Sequence, residues 1–125
     1  MAQKTFTLEE ANACLPQLES LLAEMQGIRE QLVAEAPALE AVLAHSGGNG
    51  GSKAAGEYLM RLQRFNALNQ MVIDLGCELK DLGLGLIDFP SYQNGKLVYL
   101  CWKRGEPSIA FWHDIDSGFA GRQPL

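Results

Sequence analysis

The chain changes its hydrophobic period once. From Phe6 to Leu75 apolar side chains return at helical spacing, and from Leu82 onward they return at nearly every second position. Thr7 and Glu10 have the spacing of a capping box, in which each side chain satisfies a backbone N–H at the other's position, and Phe6 is placed to staple the helix start. Pro16 is tolerated in a first turn and not in a helix interior. The spacing therefore predicts a short helix over 8–14 and a longer one from about 16, with a kink at Pro16 as the alternative. Along the longer segment Leu18, Met25, Leu32 and Leu39 recur every seven residues, beside a second seam of Leu21, Ile28, Glu35 and Val42. Leu22, Val33 and Leu43 widen this coiled-coil-like stripe and Pro37 bends it, which predicts an antiparallel helical hairpin in place of an extended rod. The eight residues from His45 to Ser52 hold four glycines, a composition no helix keeps, and form the turn. Ser52 is a good N-cap for a second helix running to about Leu75, with Gly76 as its stop. Its stripe of Ala55, Tyr58, Leu62, Phe65, Asn69 and Val72 is flanked by apolar residues off the stripe, so a sheet or a second subunit is expected to cover another side.

Beyond Leu82 the turn signals become those of hairpins. Leu84 to Tyr92 reads as a first strand, at an edge because Pro90 cannot donate to ladders on both sides. Asn94-Gly95 is a two-residue hairpin signal, Lys96 to Lys103 reads as a central strand, and Arg104-Gly105-Glu106-Pro107 turns the chain into a third strand at Ser108 to Asp114. The expected class is α+β: an antiparallel helical hairpin over 8–76 packed with a C-terminal three-stranded antiparallel β-meander and docked tail over 82–125, all in a single domain. Two-residue turns place Gln93 opposite Lys96 and, for a tight second hairpin, Lys103 opposite Ser108. That register gathers Ile87, Phe89, Val98, Leu100, Trp102, Ile109 and Phe111 on the core face, with Ser91 and His113 at its end. The other face receives Asp88, Tyr99, Cys101, Lys103, Ala110, Trp112 and Asp114. A single bulge in either hairpin exchanges these faces.

With 125 residues and 47% apolar content, the chain fills one core without a disulfide or structural metal. No apolar run approaches the roughly 20 residues of a membrane span, and the N-terminus lacks a secretory h-region, so a soluble cytoplasmic protein is expected. The net charge of −5 lies on residues 1–46, where seven Glu face Lys4 and Arg29; eight acids and eight bases balance over 47–125. An acidic chain with no basic stripe argues against nucleic-acid binding. Three cysteines without a close pair fit a reducing compartment. Cys77, Cys101 and His113 are zinc-binding types, but the close pairs of structural sites are missing and the expected register sends Cys101 and His113 to opposite faces, so no metal is expected. Gly51-Ser52-Lys53 reverses the phosphate-loop order and follows a helix. The sheet face with Asp88, Tyr99, Cys101, Trp112 and Asp114 is the pocket candidate unless the second helix covers it. His113 reads as a hydrogen-bonded histidine at a sheet end, with Asp114 and Asp116 leaving a general-base role open. In the tail, Phe119 and Arg122 framed by Gly118 and Gly121 point to docking, with Arg122 either clamping an anion or pairing with a surface acid.

Several blocks carry a family resemblance: Phe6-Thr7-Leu8-Glu9-Glu10-Ala11-Asn12, Leu75-Gly76-Cys77-Glu78-Leu79-Lys80-Asp81, Gly85-Leu86-Ile87-Asp88-Phe89-Pro90, Tyr99-Leu100-Cys101-Trp102, Gly105-Glu106-Pro107, Trp112-His113 and Gly118-Phe119-Ala120-Gly121-Arg122. Together they resemble the bacterial family known only as domain of unknown function 2203, across essentially the whole chain. The resemblance implies a small stand-alone bacterial protein and supplies no activity, catalytic residue or cofactor. Within these blocks the polar side chains that packing does not explain are Glu78, Lys80, Asp88, Glu106, His113 and Arg122, the candidate ligand-binding residues. The heptad stripe, the two-sided second helix and the lack of a recognised catalytic constellation point to a non-enzymatic oligomerisation or interaction protein, a homodimer through its helices. The alternative is a small-molecule- or metal-binding protein, extending to a hydrolase, with its polar site at the sheet end and tail and a small anion as a candidate ligand.

Overall fold

Thr7 opens the first helix as its spacing requires: its Oγ1 accepts from Glu10 N at 3.1 Å, and Glu10 Oε1 accepts from Thr7 N at 2.8 Å. The computed structural model describes residues 4–45 and 53–125. Helix α1 (Leu8–Ala13) breaks at Cys14 and α2 (Leu15–His45) follows, so Pro16 falls in a first turn where its missing N–H removes no helical bond. Phe6 packs edge-on against Phe89, ring centroids 5.3 Å apart, and thereby ties the chain start to the sheet. Helix α3 (Lys53–Leu75) ends at Gly76, as predicted. The glycine-rich turn and the Ser52 cap fall outside the described residues.

α2 and α3 form the predicted antiparallel hairpin, tied by Arg64 to Glu24 at 2.7 Å and by Arg61 to Glu35. Leu18, Leu22 and Met25 of α2 and Leu68 and Val72 of α3 are fully buried against the sheet. Further from the sheet the stripe loses its cover, and Val33, Val42, Leu59 and Met60 are exposed.

The sheet has five antiparallel strands in chain order: β1 (Glu78–Asp81), β2 (Leu86–Gln93), β3 (Lys96–Lys103), β4 (Phe111–His113) and β5 (Gln123–Pro124). The α+β class stands, with two strands more than the expected three. β1 escapes the sequence pattern because its four residues include three charges; its order comes from pairing with β2. β5 is the docked tail, laid against β4 with Leu125 N donating to Ala110 O at 2.9 Å. β2 is therefore no edge strand. Pro90 is accommodated because β1 pairs only with Leu86 to Asp88, and beyond its end the Pro90 carbonyl accepts from Phe6 N at 2.8 Å.

The first hairpin keeps the predicted register, Gln93 opposite Lys96, with Asn94 (φ 53°) and Gly95 (φ 78°) supplying the two positive φ angles of a type I′ turn. The second is shifted by one residue: Tyr99 stands opposite His113, Leu100 opposite Trp112 and Cys101 opposite Phe111. The cause lies in residues 104–110, which do not form a tight turn. Ile109 buries its side chain in the core and gives its N–H to Asn12 Oδ1 of α1 at 2.8 Å, while Glu106 folds back so that its Oε1 accepts from Lys103 N at 2.7 Å. The shift exchanges faces in β4. Trp112 turns toward the helices, and Phe111 and His113, expected with the core, turn to the outer face.

Candidate functional site

The outer face holds polar residues that no exposed sheet needs. Asp88 and Cys101 are directly opposed on β2 and β3, and the shifted register brings His113 diagonally beside them, His113 Nε2 lying 3.0 Å from Asp88 Oδ2. All three are buried, with 3%, 1% and 2% of their surface exposed. One nitrogen, one sulfur and one carboxylate oxygen, the atoms able to bind a metal, lie within 4.8 Å of one another. The expectation that Cys101 and His113 face opposite ways, which argued against a metal, is thus overturned by the register. His113 Nδ1 lies 2.7 Å from Asp114 O, and since a carbonyl only accepts, Nδ1 carries the proton it donates.

The three side chains open into a cavity of about 320 Å³, walled by Lys80, Leu86, Tyr99, Asp116 and Phe119. The stretch from Ile115 to Phe119 roofs it. Arg122 fastens this roof. Its guanidinium lies between the rings of Phe111 and Phe119, 4.1 and 4.8 Å from their centroids, and its Nη2 donates to Glu106 Oε1 at 2.7 Å and to Cys101 O at 3.3 Å.

The six residues singled out from the sequence divide into two groups. Lys80, Asp88 and His113 share the cavity, and Glu78 pairs with Lys80 at 2.8 Å beside it. Glu106 and Arg122 instead pair with each other at the tail, where they hold the roof and do not line the cavity. Asp114 leaves the site to pair with Lys96 at 2.7 Å, and Trp112 packs on the helix side. Cys101 and Tyr99 belong to the site, and the correct first-hairpin register already placed both beside Asp88. What sequence reasoning lacked was the position of His113.

Burial pushes the Cys101 thiol up to about 12, the Asp88 carboxylate adds to this, and Arg122 opposes it. A thiol held protonated, with His113 Nε2 turned to Asp88, does not make a cysteine nucleophile with a histidine base. Burial works to raise Glu78, but hydrogen bonds from Lys80 and Tyr99 leave its carboxyl below the ordinary carboxylate range. Glu106 is likewise lowered: burial acts against this, and bonds from Arg122 and the Lys103 N–H outweigh it.

A family model described as "Uncharacterized conserved protein (DUF2203)" matches residues 4–125. None of the curated proteins and none of the solved structures matches the chain.

Proposed function

The chain belongs to the DUF2203 family of uncharacterized conserved proteins, and from its geometry we propose that it is a small binding protein whose ligand site lies between the outer face of the sheet and the C-terminal tail. One observation carries this reading: an acid, a thiol and an imidazole are buried together at the floor of a cavity, away from the apolar core. Burying such groups costs free energy that apolar residues of the same volume would not, so a purely structural sheet gains nothing from them. The tail supports the same reading, because a strand and an arginine held between two rings secure a roof over this cavity. The size of the cavity limits the ligand to an ion or a small molecule.

Native mass spectrometry of the untagged protein purified from its source cells tests the proposal. The expected spectrum shows mass beyond the polypeptide that is lost in Ile115→Trp, a change at a half-exposed roof position that narrows the cavity. A wild-type spectrum at the bare polypeptide mass would oppose the proposal.

A second reading, interaction through the helices, draws on the far end of the hairpin. The seven-residue repeat continues through Leu32, which packs at the margin of the core, to half-buried Leu39, and Val33, Val42, Leu59 and Met60 are exposed around it. A second copy is the occupant this repeat suits, and the same spectrum reports subunit number. The three free cysteines support action in a reducing compartment. Among the described residues no helix is long and apolar enough to cross a membrane.

A further inference from the structure

We propose that Asp88, Cys101 and His113 bind one divalent transition-metal ion of the zinc class, with a further coordination position open to the cavity; this rests on reading the cavity as a ligand site.

Placement comes first. Strand pairing sets all three side chains on one face: Asp88 and Cys101 are cross-strand partners, and His113 follows from the Tyr99 pairing. Their donor atoms lie within 4.8 Å of one another, whereas ligand atoms around a tetrahedral zinc, with bonds of about 2.0–2.3 Å, stand about 3.3–3.8 Å apart. To seat an ion the longer separations contract and the His113–Asp88 pair, at 3.0 Å, opens by a few tenths of an ångström, changes within reach of side-chain torsions.

The histidine supplies the second, independent observation. Its Nδ1 is committed to donating to Asp114 O, an arrangement that commonly orients metal-binding imidazoles and leaves Nε2 as the ligand atom. That Nε2 faces a carboxylate oxygen at 3.0 Å. Two atoms that both carry lone pairs hold such a distance only with a positive centre between them, either a proton or a cation. A proton links only two of the three groups at a time, with the Cys101 thiol hydrogen-bonded beside them to Asp88, whereas a cation engages the whole nitrogen, sulfur and oxygen set at once.

The donor set decides the class of ion. Thiolate and imidazole suit zinc, cobalt and their neighbours, while calcium and magnesium take oxygen ligands. Three protein ligands leave a position for water or a small ligand, and the cavity that all three line is where such a group would enter.

The test is a titration of chelator-treated, folded protein with cobalt(II) and then zinc(II). We expect one equivalent of cobalt to bind with a near-ultraviolet thiolate-to-cobalt band and the visible bands of a tetrahedral ion, and zinc to displace it. Cys101→Ser should abolish the charge-transfer band. Asp88→Asn and His113→Gln should weaken binding by at least the roughly 100-fold that loss of an outer-shell partner can cost, and Glu57→Gln, on α3 and paired with Lys53, should leave it unchanged. Because substitutions at His113 risk unfolding the chain, the rise in Tm of the wild-type protein with zinc, and its reduction in the near-isosteric Cys101→Ser, give a separate readout.

A folded wild-type protein with no charge-transfer band and no Tm response overturns the proposal, as does cobalt binding unchanged by Cys101→Ser, which would belong to the other thiols. If the native spectrum shows a cavity ligand while cobalt and zinc have no effect, the binding site stands and its assignment to a metal falls. If the source-purified spectrum and the metal titration are both blank, both readings fall together.

Discussion

His113 Nε2 lies 3.0 Å from Asp88 Oδ2 because Tyr99, not Val98, stands opposite His113 in the sheet. Both side chains are buried, so each depends on the other for a partner that water would otherwise supply. Replacing one alone, as in His113→Leu, leaves a buried carboxylate without its partner and should cost roughly 3–5 kcal/mol in metal-free protein. The double replacement Asp88→Leu with His113→Leu should cost less than either single change. Urea denaturation of the four proteins closes the cycle, and additive losses would show that the pair is not coupled.

Arg122 should govern the tail more than the fold as a whole. Between Phe111 and Phe119 it joins two ring contacts to a charged hydrogen bond with Glu106, together worth about 1–2 kcal/mol. In Arg122→Ala, hydrogen exchange at the amides of Arg122 and Leu125 should speed up by about 10-fold or more, while those of β3 stay protected. Arg122→Lys should not restore protection, since an ammonium lacks the flat surface that lies between the rings. Equal loss of protection in β3 would mean that the tail and sheet open as one unit.

The capping box predicts a pH effect at the other end of the chain. Bonds from the Thr7 backbone N–H, then from its side chain, hold the Glu10 carboxyl below the ordinary value of 4.5. A group lowered in the folded state contributes stability above its unfolded pKa and loses it as pH falls through the folded value. The difference in Tm between wild type and Glu10→Gln should therefore be largest near neutral pH and vanish in acid. Thr7→Ala should cost about 1 kcal/mol at neutral pH.

The three thiols should separate by reactivity in metal-free protein. Burial pushes Cys77 and Cys101 up to about 12, whereas Cys14, also raised by burial, is partly exposed. Iodoacetamide at mildly alkaline pH should modify Cys14 first, Cys101, a raised thiol on the cavity floor, far more slowly, and Cys77 at the rate of unfolding, with all three reacting together in denaturant. Peptide mapping against time reads this directly, and early labelling of Cys101 would contradict its burial.

Much of this architecture is written locally. The Thr7–Glu10 cap, the break before Pro16, the stop at Gly76 and the Asn94-Gly95 hairpin each depend on a few neighbouring residues, so helix limits, the α+β class and the β2–β3 register are legible without coordinates. For the same reason Asp88, Tyr99 and Cys101 fall on one face from the sequence alone, while Lys80, Asp88 and His113 stand out only as polar groups within the blocks that carry the family resemblance. The weak strands β1 and β5 were not legible, because short charged or tail segments acquire order only from the strand beside them. The side on which His113 emerges was beyond local rules as well. It depends on how many residues leave the ladder between Lys103 and Phe111, and this is settled by Asn12, which takes the Ile109 N–H from 97 residues away. Because side chains alternate along a strand, that one distant hydrogen bond, with the burial of Ile109, decides whether the imidazole joins the core or meets Asp88 and Cys101.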